Sequence, residues 1–201
     1  GFELSAEELE SLRAEAEGLL ADLLTQQATL DELSASSWGE DLWGRYEDQS
    51  TAGDDAYLAN AFQDAVPAYT EALEIGAQLL ARSEELIDAA ISAGSAALDA
   101  GNARLATEQF ELVLAIRTDH DEAVAGLARA KSLPEVLVLV QHADQSERDG
   151  DLDAAADAYR EALGLDSLWE PARESLAVVN QQIANRDFEA LMSRGLAALA
   201  A

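Results

Sequence analysis

Cysteine is absent from the chain, which removes disulfides, thiolate metal sites and a cysteine nucleophile from consideration. Proline is almost as scarce, with three in 201 residues, so long stretches run without a helix breaker. Aromatic residues make up only 5% of the chain, while alanine and leucine, the strongest helix formers, dominate it. No run approaches the roughly 18 apolar residues that a membrane-spanning helix needs. No basic-then-apolar signal segment opens the sequence.

Positive charge is the next shortage. Lys131 is the only lysine, and twelve basic residues face forty acidic ones for a formal net charge of −28. A surface of that sign repels phosphate backbones and anionic headgroups, which argues against nucleic-acid binding and lipid docking. It suits a basic partner, a cation-rich setting or high salt, where repulsion is screened. What remains abundant is apolar: 49% of the chain, enough for a sizeable core.

That apolar content is arranged in a repeat. The segments beginning at Asn60, Gly101 and Gly150 superimpose. Ala65, Ala106 and Ala155 are followed four residues on by Tyr69, Phe110 and Tyr159, and three further on by Ala72, Val113 and Ala162. Offsets of four and three place small residue, ring and small residue on one helical face. The leading Asn or Gly tolerates the left-handed conformation that ends a preceding helix, and Asp151 is placed to cap the helix after Gly150. Seven residues before each leading residue stands another small one, Gly53, Gly94 or Ala143, where the first helix of a hairpin would meet the second.

This combination resembles the tetratricopeptide repeat (TPR), and the resemblance covers roughly residues 37–201. It implies an all-α, TPR-like α-solenoid of antiparallel helical hairpins, here at about 37–82, 84–117 and 134–166, with a partial one at 170–201. The proline that usually follows the second helix is missing, with Thr118 and Ser167 in its place. The steps between leading residues are 41 and 49, against about 34 in the family. The extra length is expected between repeats, with Pro134 breaking one such stretch into two helices. Gly195 would be the small position of a hairpin cut short, and solenoid ends normally need a cap.

Residues 1–36 read as one long amphipathic helix, started by the capping box of Ser5 and Glu8 and carrying Leu9, Leu12, Ala16, Leu19 and Leu23 at helical spacing. It can pack on the array or pair with another copy. Trp38 and Trp43 are expected to plug its junction with the first hairpin.

Motifs of catalysis and metal binding do not emerge. His120, in Thr118-DHDE, sits where a helix cap is expected, and His142 has no second histidine at a ligand spacing. Asp149-GDLD has its glycine second rather than sixth and Arg160 where a calcium loop needs glutamate. No phosphate loop, nucleophile elbow or HExxH motif is present. The expectation is a non-enzyme without cofactor or metal.

The TPR resemblance implies a concave groove lined by the first helices of the hairpins. It maps to Glu47, Ser50, Asp54 and Tyr57, then to Asp88, Ile91, Ser95 and Leu98. A third set is Leu137, Val140, Asp144 and Glu147, and a partial fourth is Glu189, Met192, Leu196 and Leu199. Such a groove is apolar at its floor, acidic at its rim and free of basic residues, and it fits a basic or amphipathic protein segment. The function implied is a non-catalytic protein–protein interaction scaffold. The alternative is a structural module that self-assembles as a homo-oligomer within a cell-envelope protein. The residue at position 1 is Gly, and the style of the array resembles bacterial membrane-anchored TPR proteins. The expectation is therefore a fragment of such a protein, cytoplasmic or periplasmic, with the periplasmic side of an inner membrane preferred.

Overall fold

The computed structural model describes residues 5–200. The first four residues of the expected N-terminal helix and the last of the partial hairpin lie outside the described residues. Among the described residues the chain is all-helical. In order the helices are α1 (Ala6–Glu32), α2 (Ala35–Trp38), α3 (Glu40–Leu58), α4 (Phe62–Asp99), α5 (Ala103–Ile116), α6 (Asp121–Arg148), α7 (Leu152–Leu165) and α8 (Glu170–Ala200).

The turn residues behave as their chemistry requires. Asn60, Gly101 and Gly150 have φ of 58°, 71° and 82°, the left-handed region that ends α3, α4 and α6. Asp151 caps α7, its Oδ1 accepting from the Ala154 N–H at 3.0 Å. His120 does the same for α6, with Nδ1 accepting from the Ala123 N–H at 3.3 Å.

Two expectations are corrected. Pro134 does not break a helix: α6 runs through it, exposing the proline while Ala130, Leu133 and Val136 are buried on either side. Packing of that face outweighs the lost hydrogen bond. The expected hairpin boundary at 82–84 also falls inside continuous helix. α4 is 38 residues long and serves as both the helix after Asn60 and the helix before Gly101, because no Asn, Pro or left-handed residue interrupts it there.

The contacts divide the chain into two units, residues 1–92 with 111–123, and residues 93–110 with 124–201. In the first unit, Ser5 and Glu8 close the capping box of α1, and Ala16, Leu23 and Leu30 bury one stripe of it. These residues join Tyr46, Phe62, Tyr69, Ile75 and Leu79 in one core. Gln26 reaches from α1 to the Leu73 carbonyl at 3.0 Å, in space left open by Gly76. Trp38 and Trp43 pack partly buried on this core, and the Trp38 indole N–H donates to the Leu33 carbonyl at 2.7 Å. The Tyr57 hydroxyl donates to Glu17 at 2.9 Å, tying α3 to α1.

In the second unit, Phe110 lies between two glycines, and a methyl group on Gly94 would stand 2.9 Å from the ring, with Gly126 crowding it still more closely. Tyr159, Ala155 and Ala162 of α7 are buried, as are Ala172 and Val179 of α8. Asp166 ends α7 with a buried carboxylate that accepts from Arg129 Nε at 3.0 and 3.1 Å and from the Leu168 N–H.

Candidate functional site

The small–aromatic repeat does structural work in each unit. Gly53 faces the Tyr69 ring and Gly94 faces the Phe110 ring. Both glycines are buried, as is Ala143, the third small position. The residue after each small position corresponds to the type of ring. Asp54 accepts from the Tyr69 hydroxyl at 2.7 Å, and Asp144 accepts from the Tyr159 hydroxyl at 2.5 Å. Where Ser95 stands in that place, the ring is Phe110, which has no hydroxyl to satisfy.

These bonds redistribute the expected groove residues. Asp54 and Asp144 are acceptors for buried tyrosines, so part of their carboxylate is committed within the fold. Burial raises the Tyr69 hydroxyl well above its ordinary range and pushes Tyr159 to about 12, with the neighbouring aspartates adding to both shifts. Tyr57 is half-buried and bonded to Glu17, whose carboxyl this contact holds below its usual range together with Arg13. Leu98 is 2% exposed and belongs to the core, not to a groove: the helical face expected to line a groove carries it inward. Glu147 is half-buried and accepts from Gln182 at 3.4 Å. Ser95, Ile91, Leu137 and Val140 are half-buried, whereas Glu47, Asp88, Glu189, Met192, Leu196 and Leu199 are exposed.

Within the first unit, three of the expected positions do converge. Glu47, Ser50 and Asp54 line one surface cleft with Trp43 and Thr51 of α3, and Gln27 of α1 forms its other wall. Ser50 is turned inward, donating to the Tyr46 carbonyl at 2.7 Å. The wall therefore presents two carboxylates and one indole, and no basic residue lines it. A second acidic cleft, in the other unit, was not anticipated. Asp99, Glu170 and Glu174 surround Leu168, Trp169 and Pro171 there. Its indole N–H is buried without a hydrogen-bond partner. The sequence signal for it was Trp169 next to acidic residues at the start of α8, a pattern with no repeat counterpart.

The electrostatics are one-sided. Of the described carboxylates only Asp166 is buried and only Asp144 and Glu147 are half-buried; all the others are exposed. Most arginines are already engaged: Arg13, Arg45, Arg82, Arg104 and Arg117 pair with glutamates, and Arg129, Arg160 and Arg186 with aspartates. Among the described residues no group of three or more His, Asp and Glu side chains is placed to hold a metal ion, and no helix is long and apolar enough to cross a membrane. Comparison with protein-family models, curated proteins and solved structures found no match to the chain.

Proposed function

We propose that this chain is a non-catalytic, TPR-like protein-interaction module that receives a basic or amphipathic segment of a protein partner. The observation carrying the reading is the α1–α3 cleft, where Glu47, Asp54 and the Trp43 ring meet with no basic residue in the lining. An arginine or lysine entering such a cleft gains two carboxylates and an aromatic face. A surface on which arginines are largely spent on internal ion pairs repels acidic competitors and steers basic partners toward it. The buried ring at each of the three small–aromatic positions supports a hairpin array as the scaffold that holds this wall.

The test uses a labelled amphipathic peptide with arginines on one face, followed by fluorescence anisotropy at low and high salt. Binding is expected, weakened by salt and by Glu47→Lys, while an acidic peptide of the same hydrophobic pattern stays free. Glu47 is exposed, so its replacement leaves the core intact. Affinity unchanged by Glu47→Lys would remove the cleft from the reading.

A further inference from the structure

The second half of α8 has no packing of its own. From Asp187 to Ala200 every residue is exposed except Ala190, which is half-buried. Yet the segment is not written as a solvated helix. Phe188, Leu191, Met192, Leu196 and Leu199 recur at helical spacing and are 64%, 65%, 50%, 62% and 87% exposed. Their spacing of three and four puts them along one continuous stripe. Gly195 lies in the same stripe with nothing within 4 Å of the position a Cβ would take. In an exposed helix interior a glycine is disfavoured relative to alanine, so the described residues around Gly195 offer no reason for it.

The packing elsewhere in the chain supplies one. Gly53 receives the Tyr69 ring and Gly94 receives the Phe110 ring, each from an antiparallel helix. By the same rule, Gly195 is a seat for a ring. Leu196 follows it where Asp54 and Asp144 follow the seats of tyrosines, so no acceptor is provided and the fitting ring is phenylalanine. The ring-bearing helices read alanine, aromatic, then alanine or valine, at offsets of four and three. Ala184, Phe188 and Leu191 keep that spacing, with the larger leucine in the last place. The stripe thus carries both halves of the contact, a seat and a ring, seven residues apart.

We infer that the C-terminal half of α8 is a self-association surface, on which a second copy of this chain docks antiparallel about a two-fold axis. Each Phe188 then seats on Gly195 of the other copy, and Leu191 meets Met192 across the axis. The arrangement is isologous, as a closed dimer requires. Charge favours the same occupant. Residues 187–200 hold Arg194 against Asp187 and Glu189, one positive and two negative, for a net charge of −1 in a chain of −28. This is a stretch on which two such acidic molecules can approach with little like-charge repulsion. One helix pair is a small interface, so the dimer forms in a concentration-dependent equilibrium. The inference does not rest on the α1–α3 cleft.

Sedimentation equilibrium of the full chain over a wide concentration range tests it, together with single-cysteine variants, which the cysteine-free sequence makes clean. A monomer–dimer equilibrium is expected, weakened by more than about a hundredfold in Phe188→Ala, since each dimer loses the ring twice. Gly195→Leu fills the seat and has the same direction of effect. Both positions face solvent in the monomer, so neither substitution disturbs its packing, and Gly195→Leu adds helix propensity rather than removing it. Under oxidation Met192→Cys cross-links to itself, because its two copies lie about 1.5 Å apart along the helix axes. Leu199→Cys does not, its copies being about 22 Å apart. A monomer at every concentration overturns the proposal, as does a dimer indifferent to both Phe188→Ala and Gly195→Leu. Cross-linking of Leu199→Cys as readily as Met192→Cys overturns the antiparallel register.

Discussion

Two glycines of α3 allow the ring-and-seat packing to be tested by sign as well as size. Gly44 is exposed, and a methyl group there meets nothing within 4 Å. Gly53 is buried, and its methyl group would lie 2.5 Å from Tyr69 Cε1. Replacing a helical glycine by alanine ordinarily gains about 0.8–1.0 kcal/mol. Gly44→Ala should show that full gain. Gly53→Ala has the same backbone gain, set against a ring that must move. The ring is fully buried, and its hydroxyl is held by Asp54 at 2.7 Å, so it cannot simply tilt away. Overpacking of this kind costs about 1–3 kcal/mol, leaving Gly53→Ala destabilised by up to about 2 kcal/mol. Urea unfolding followed by circular dichroism and by the fluorescence of Trp38 and Trp43 reads both variants against the parent. The midpoints are expected to move in opposite directions. A stabilisation of Gly53→Ala equal to that of Gly44→Ala would mean that the ring is not seated on Gly53.

The tyrosine hydroxyls give a second contrast. Tyr46 is buried with no hydrogen-bond partner, so Tyr46→Phe should be neutral or stabilising by about 1 kcal/mol, whereas Tyr69→Phe leaves Asp54 without its donor and should destabilise by about 1–2 kcal/mol. Burial pushes both Tyr46 and Tyr159 to about 12, so the unfolded chain releases these protons near pH 10 while the folded chain keeps them. Their contribution is complete below about pH 10 and is lost as pH rises through about 12; the urea midpoint should fall across that window, and less steeply in Tyr46→Phe. Arg129→Met strands the buried Asp166 carboxylate and should cost about 3 kcal/mol in thermal or urea unfolding, more than any surface ion pair of the chain. Pro134→Ala restores a backbone donor toward the Ala130 carbonyl within continuous α6 and should stabilise by about 1–3 kcal/mol, seen as a raised thermal midpoint.

The turns and the packing code were legible in the sequence because each depends on a few neighbouring atoms. Asn60, Gly101 and Gly150 are needed for left-handed backbone, and Gly53 and Gly94 for the approach of a ring. Helix boundaries were not legible where nothing local decides them. Between Ala72 and Ser92 only burial could end a helix, and the buried Ile75, Leu79, Ile87 and Ala90 keep one face of α4 packed throughout. At Pro134 a strong local signal was present and lost, because the buried residues on both sides favour continuity. Gln26 illustrates a different limit: its contact with Leu73 joins residues remote in sequence, and no periodicity announces it.

The candidate site follows the same division. Asp54 and Asp144 read as groove acids because they follow the small position on the first helix of a hairpin. That position is the one from which a carboxylate reaches the hydroxyl of a ring seated on the small residue. An aspartate there answers first to its tyrosine, which burial forces to remain protonated and to donate. Its charge still faces outward in part, but its geometry is set by the fold, and replacing it damages the core and the surface together. Selectivity for a partner therefore falls to residues free of that duty. In the α1–α3 cleft that residue is Glu47, exposed and one helical turn from Ser50, which is itself turned back onto the backbone. A charge reversal at Glu47 separates recognition from folding; one at Asp54 cannot, because loss of the Tyr69 hydrogen bond and loss of partner charge would fall on the same atom.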